Sequence, residues 1–481
     1  MSMPQAIANG GQVLLLGLDF GSTTSSALIA QASISSHCVT GRMALQDPRV
    51  LYRGEPVFTP FNHGSIDLVA IRDLIATWLG EAGVTAGDLF SGGVIITGLA
   101  AQQHNAQALA ELVSELVGDT LVTRADDGGL ESWLAFMGSC SALSRFHDEQ
   151  PLLNLDIGGG TTNAALGLAG NVLACGCHFI GARHLQFEPG SYRLSGVSNF
   201  GAQLLRTLGI DERLGNELDR RQVDTVLNWY IHALLAIVEG DTAFFASGLG
   251  QQIEQIPLNL SVLSDACAVT FSGGVGELLY RHLDGQVLPG TTHYGDLGID
   301  LALAIAATPR LVRDAQRLVP ENRGRATVYG LTLHNTEISG TTLFLPRPHV
   351  LPLKDLPIVA RLETSASQAQ LVDAITMARS SQGGACLQLL DSGSTPRLQA
   401  IRQLGGRLAA AIAQVGPDAD WPLVILLESN AGHALGNYAS DWGRLPVNLL
   451  VIDEVRERHA HYVNLGKPRQ QIVPVAFYGV H

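Results

Sequence analysis

Apolar positions in this chain fall in short runs that stop at Gly, Ser, Thr or Asp. Two of the runs stop in the same way. Residues 13–20 close in Asp-Phe-Gly and residues 151–157 close in Asp-Ile-Gly. A second apolar run follows each, at 25–31 after the first and at 163–169 and 172–180 after the second. Runs of this length between turn residues predict buried strands, so each pair reads as a hairpin, the second extended to a three-strand meander about Gly170-Asn171. Helical spacing marks residues 68–80, 105–116, 130–143, 223–238 and 296–307, and further buried strands are predicted at 93–97 and 266–271. Composition shifts at Leu345-Pro346-Arg347-Pro348. Beyond it helices (371–379, 395–414, 432–442) alternate with strands (385–390, 423–427, 447–452), the pattern of a parallel α/β unit. The resulting divisions are 1–150, 151–345 and 346–481.

The repeat carries candidate chemistry. Asp19-Phe20-Gly21-Ser22-Thr23-Thr24 matches Asp156-Ile157-Gly158-Gly159-Gly160-Thr161-Thr162, the second copy reading as one glycine longer. Glycine lets the backbone approach a ligand closely and adopt positive φ. Successive amides in such a turn form an anion-binding nest, to which Ser and Thr hydroxyls add donors. An Asp at the strand end fits a phosphate site when a cation offsets it. Hydrated Mg²⁺, which keeps waters and takes one or two carboxylates, suits that role. Two copies with the same residue order argue against ordinary turns. A third turn, Ser272-Gly273-Gly274-Val275-Gly276-Glu277, follows the strand at 266–271 and opens toward a helix, a place for phosphate or adenosine against backbone amides. Neither a Gly-x-Gly-x-x-Gly fingerprint nor a Gly-Lys-Ser/Thr loop is present.

Composition narrows the classes. The 481 residues are 46% hydrophobic and 15% charged, enough apolar material for two to four domains, with net charge −14. The acidic balance argues against nucleic acid or an anionic membrane as the main partner. Lysine occurs only at Lys354 and Lys467, so a lysine on a nucleotide has few candidates. Six cysteines (Cys38, Cys140, Cys175, Cys177, Cys267, Cys386) form no disulfide framework and read as reduced. No basic leader precedes the first apolar run, which is too short to span a bilayer. A cytoplasmic location is expected.

With Ile96-Thr97-Gly98 between the hairpins, the motifs resemble those of the actin, heat-shock chaperone and sugar-kinase superfamily. The resemblance implies an α/β fold of two actin-like (ribonuclease H-like) ATPase lobes with a duplicated phosphate hairpin, plus the C-terminal α/β unit. It implies ATP and Mg²⁺ as cofactors. Asp19 and Asp156 would hold the hydrated metal, and Gly21 to Thr24 and Gly158 to Thr162 the phosphates. Gly273, Gly274, Gly276 and Glu277 would lie by the adenosine. Residues 94–98, 154–163, 271–277, 56–60, 296–298, 434–436 and 451–455 are similar to segments of the EutA family of ethanolamine ammonia-lyase reactivating factors, nearly end to end. That branch implies a chaperone-like, weak Mg-dependent ATPase. Its partner would be the adenosylcobalamin-dependent lyase, with its large and small subunits, and its task the exchange of damaged cobalamin for intact cofactor. Homo-oligomerisation and association with a bacterial microcompartment stay open.

The chain departs from the family at Leu99, Gln102 and His104, where charged residues are expected, and at His433, where Lys is usual. Thr97 has two readings, a helix cap or a group that positions the attacking water. Glu131 and Arg183 read as surface or structural residues. His459 and His461 read as a solvated loop. Two rival functions stay in view. One is a small-molecule kinase on the same scaffold, which needs a catalytic base near the γ-phosphate. The other is a nucleotide-binding adaptor that does not hydrolyse ATP.

Overall fold

A computed structural model describes residues 11–21, 23–36, 42–62, 65–96, 106–117, 127–246, 248–260, 267–390, 398–469 and 472–480. The two hairpins seed two sheets of the same order. In the first lobe the order is Met43–Arg53, Thr24–Ser36, Gln12–Phe20, Leu89–Ile96. The first three strands run antiparallel to their neighbours and the last pairs in parallel with Gln12–Phe20. In the second lobe Asn171–His178, Thr162–Leu168, Leu152–Ile157 and Ala268–Ser272 repeat that order and those directions, with Glu254–Ile256 added outside. The duplication seen in two short motifs thus extends to whole sheets.

The register corrects one expectation. Phe20 pairs with Ser25 and Ile157 with Thr162, so four residues, 21–24 and 158–161, close each hairpin. The second copy has no extra residue. Thr24 corresponds to Thr161, Ser25 to Thr162 and Ser26 to Asn163, because strand pairing sets the alignment and the Thr-Thr letters do not.

Two helices join the lobes. Gly128–Ser139, capped by the Asp127 carboxylate on the Gly129 amide at 3.0 Å, packs on the second sheet, where Gly167 makes room for the Phe136 ring. Ala326–His334 packs on the first sheet, over Gly17 and Gly93, where added methyls would strike Thr332 and Leu331. Each helix follows one lobe in sequence and packs on the other. They cross backbone to backbone: a Cβ at Gly138 would strike the Ala326 carbonyl, and one at Gly330 the Leu134 carbonyl.

The C-terminal unit has the expected alternation and more. Its seven-stranded sheet runs Thr336–Ile338, Pro474–Val480, Ala460–Leu465, Leu353–Glu363, Ala385–Leu390, Pro422–Leu427, Asn448–Ile452, the last four parallel. Leu387, Leu389, Leu423, Ile425, Leu449 and Val451 face the helices Gln368–Ala378, Leu398–Val415 and Gly432–Ala439. The alternate residues Cys386, Val424, Leu426, Leu450 and Ile452 pack with Ile95, Leu130, Leu134 and Leu331 of the first lobe and joining helices. Period-two alternation with both faces covered explains why these strands read as continuous apolar runs. Thr336–Ile338, ahead of the composition shift at 345–348, pairs into this sheet.

Candidate functional site

The repeated strands, each in its own sheet, bring three carboxyl groups close enough to act on one another. Asp19 and Asp156 come from the two hairpin strands. Glu131 comes from the first turn of Gly128–Ser139. Far from being a surface residue, Glu131 is buried, and the sequence hid this because its helix is apolar on nearly every side. Burial and the neighbouring Asp156 push Asp19 up to about 7. Burial pushes Asp156 up to about 6, against a hydrogen bond from Ser272. Glu131 is held well above the ordinary carboxylate range by burial, then by Asp156 and Asp19, with an Asn163 hydrogen bond opposing. Asp19 Oδ1 is enclosed and has no hydrogen-bond partner.

Mutual repulsion and an orphaned oxygen are what a cation would relieve, so the donor set fits Mg²⁺. Among the described residues no three His, Cys, Asp or Glu side chains converge as a direct metal-ligand set. The fit is therefore to a metal that keeps its waters.

The loop of the second hairpin is built to present amides. The Gly158 carbonyl accepts from the Ala182 amide at 3.0 Å and the Gly159 carbonyl from the Arg183 amide at 2.6 Å. The Gly160 carbonyl accepts from His184 Nε2 at 2.8 Å. In a trans peptide N–H and C=O point opposite ways, so the amides of Gly159, Gly160 and Thr161 turn together toward the open side of the loop. His184 is fixed for this task. Nε2 faces a carbonyl and carries the proton, Nδ1 accepts from Ser198 at 2.8 Å, and burial lowers its pKa to about 4. Gly181 is pressed onto Gly159 and Gly160, leaving no space for a side chain.

Among the described residues, Thr59 is the side chain that holds the first loop. Thr59 donates its hydroxyl to the Gly21 carbonyl at 2.6 Å and its amide to the Thr23 carbonyl at 3.0 Å, and its hydroxyl lies 2.9 Å from that of Ser25. Thr24 is exposed, while its counterpart Thr161 is buried beside the Asn163 amide. Thr162, expected on phosphate, is buried and donates its hydroxyl to the Ile180 carbonyl at 2.8 Å. Ser22 and Thr97, with Leu99, Gln102 and His104, lie outside the described residues.

The third turn lies directly over the second hairpin. Ala268–Ser272 pairs with Leu152–Ile157, Ser272 opposite Asp156. Gly273 has φ +78°, and a Cβ there would strike the Ile157 carbonyl, so this crossing needs glycine. Gly274 is exposed with open space around it, and Gly276 is close to Phe271. Glu277 forms an ion pair with Arg323 at 3.1 Å, next to Gly324. Arg183 pairs at 3.5 Å with buried Asp296. Glu131, Gly181 and His184 lay outside the recognised motifs, and Thr59 lay in the 56–60 segment without an assigned role. Only their contacts with those motifs mark them.

Strand order repeated in two lobes, an Asp at each hairpin, and a crossed helix pair between them define a protein of the actin-like ATPase fold. The sequence matches the family described as ethanolamine utilisation protein EutA over residues 11–478, and the chain belongs to that family. It is 29% identical over 484 residues to the ethanolamine ammonia-lyase reactivase EutA of Salmonella typhimurium (strain LT2), covering 97% of this chain and 98% of the relative. It is 28% identical over 480 residues to the protein of that name from Escherichia coli (strain K12), with the same coverage. Among solved structures, an exopolyphosphatase-like protein overlaps 67% of this chain and 97% of its own at 14% identity and TM-score 0.38. That superposition is loose, and the fold assignment rests on the strand order.

Proposed function

We propose that this protein is an ATP-dependent reactivating factor for adenosylcobalamin-dependent ethanolamine ammonia-lyase, promoting exchange of damaged cobalamin for intact cofactor. Family membership supports the choice of partner, and the lyase's large and small subunits are its expected contacts. The observation that carries the ATP part is the trio Asp19, Glu131 and Asp156, the last two buried and the first with an enclosed, unpartnered oxygen, beside a loop with three amides turned the same way.

In this reading the Gly159, Gly160 and Thr161 amides bind phosphate oxygens, and the Gly273–Gly276 turn lies against the adenosine. Asp19 and Asp156 hold waters of Mg²⁺. The metal, when bound, neutralises phosphate charge and lets the three carboxyl groups ionise together. Glu131, beside both Asp residues, orients a water toward the phosphates. Because the hairpins sit on different lobes, both grip one polyphosphate only when the lobes approach. Nucleotide then distinguishes open from closed, the condition for driving a partner. The crossing of Gly138 and Gly330 gives that motion a thin joint.

Glu131 also favours a second reading, in which it is the base for a substrate hydroxyl in a small-molecule kinase. Phosphate release from Mg-ATP by the protein alone supports the first reading, and strict dependence on a small substrate the second. The decisive test adds the protein, Mg-ATP and fresh adenosylcobalamin to inactivated lyase. Wild type restores turnover and Asp156→Asn does not. Equal rescue by both would overturn the metal role, and no rescue by wild type would overturn the reactivase reading.

A further inference from the structure

The two Asp residues of the repeat differ in what lies beside them. In the parallel neighbour strand Asp19 faces Ile95, whereas Asp156 faces Ser272. Ser272 is fully buried and donates its hydroxyl to Asp156 Oδ1 at 2.5 Å. It accepts in turn from Asn154 Nδ2 at 2.8 Å, and Asn154 Oδ1 accepts from the Thr270 hydroxyl at 3.2 Å. Every donor in this chain points toward Asp156. With its own oxygen occupied by the Asn154 amide, Ser272 has one direction for its proton, onto the carboxylate. Ser272 is also the last residue before the Gly273 crossing, whose backbone touches Ile157. A displacement of the nucleoside turn therefore moves the group that orients Asp156.

We propose that Ser272 is a positioning residue that couples the nucleoside turn to the metal-facing carboxylate, through the Asn154–Ser272–Asp156 hydrogen-bond chain. The inference rests on the nucleotide reading above and adds to it a specific cause of metal dependence. Asp156 is held in one orientation before ligand arrives, and the side chain that holds it belongs to the turn the nucleoside would touch. Among the described residues the first lobe has no counterpart at this register, because Ile95 stands opposite Asp19 and has no proton to give.

The test is calorimetric titration of the full-length protein with ADP and with ATP, in MgCl₂ and in EDTA. For wild type, Mg²⁺ tightens binding. Ser272→Ala is expected to lose about ten-fold of that tightening, the scale of a hydrogen bond to a charged group, while affinity in EDTA stays within about two-fold. Ser272→Cys, similar in size and a weaker donor, is expected to fall between them and covers the case of an unstable alanine variant. Undiminished tightening by Mg²⁺ in Ser272→Ala would overturn the proposal. So would a parallel loss in MgCl₂ and EDTA, since Ser272 would then only support the turn. No nucleotide binding by wild type in either buffer would instead overturn the nucleotide reading itself.

Discussion

The two hairpins have the same loop length, sheet order and Asp position, yet they are supported differently. The second is backed on three consecutive carbonyls by Ala182, Arg183 and His184, and its Asp156 receives a hydroxyl proton. Among the described residues the first is held through Thr59, and its Asp19 keeps an enclosed oxygen without a partner. The second jaw has its loop carbonyls and one Asp156 oxygen hydrogen-bonded within the protein, whereas the first leaves Asp19 Oδ1 without a partner. Duplication kept the backbone, while neighbouring side chains made one copy a platform and the other a responsive part.

The largest expected effect separates the two Asp residues. Asp19→Asn and Asp156→Asn should each weaken Mg-ATP binding by about 100-fold, since each removes a carboxylate from the metal's surroundings. Their effects on the ligand-free protein should diverge. Asp19 is raised to about 7, so above that pH the folded state carries an ionised group it disfavours relative to the unfolded chain. Asn in its place should stabilise the ligand-free protein at pH 8 by about 1–2 kcal/mol, discounted for partial exposure. Asp156→Asn should gain less, because it also gives up the charged acceptor for Ser272. Thermal melting at pH 8 checks the difference, and equal shifts would remove the asymmetry.

Acid should act on the second lobe and the joint. Burial lowers His178, His184 and His334 to about 4 from an ordinary 6.5. The unfolded chain takes up these protons first, so the stability they confer is complete above pH 6.5 and is lost as pH falls toward 4. The loss is about 2 kcal/mol for each by pH 5. His184→Gln, which keeps a donor for the Gly160 carbonyl and cannot be protonated, should recover roughly a third of it. Melting temperatures at pH 7 and pH 5 measure the recovery.

The fold was largely legible where periodicity was strong. The helices at 68–80 and 223–238 appear as Leu68–Ala82 and Arg220–Glu239, the latter starting earlier because Asp219 and Gln222 form a capping box. Met43–Arg53 escaped notice because it is mostly part-exposed and carries charges, so it has no apolar run. Ala326–His334 escaped because its contacts surround it and blur its period. In the site, the Asp and Gly positions could be read because the repeat displayed them. Glu131 and His184 could not, since only tertiary packing brings them under the loops. The misaligned glycine has the same origin: matching letters suggested an insertion, and strand register excludes it.

Two glycines near the second loop should respond to different degrees. Gly181→Ala would push a methyl onto the Gly159 and Gly160 backbone, while Gly158→Ala meets only the Thr161 carbonyl at 3.9 Å. Overpacking at Gly181 would tilt the three amides, and nucleotide affinity should fall by about ten-fold, with Gly158→Ala within about two-fold. Calorimetric titration with Mg-ATP compares them. Equal loss in both would mean that glycine's conformational freedom, not close packing, sets the loop.

The smallest effect tests the responsive jaw. Thr59→Val keeps the shape of the side chain and the amide bond to Thr23, and removes the hydroxyl that Gly21 and Ser25 share. The cost should be about 1 kcal/mol, the net worth of an ordinary hydrogen bond, because Gly21 is partly open and water can replace the donor. Nucleotide affinity should drop by about three-fold, since the first loop starts less ordered and must be ordered on binding. The protection of its amides from hydrogen exchange should then rise more on adding Mg-ATP than in wild type. Unchanged protection would mean that the first loop is as preformed as the second, and that the two jaws do not divide the work.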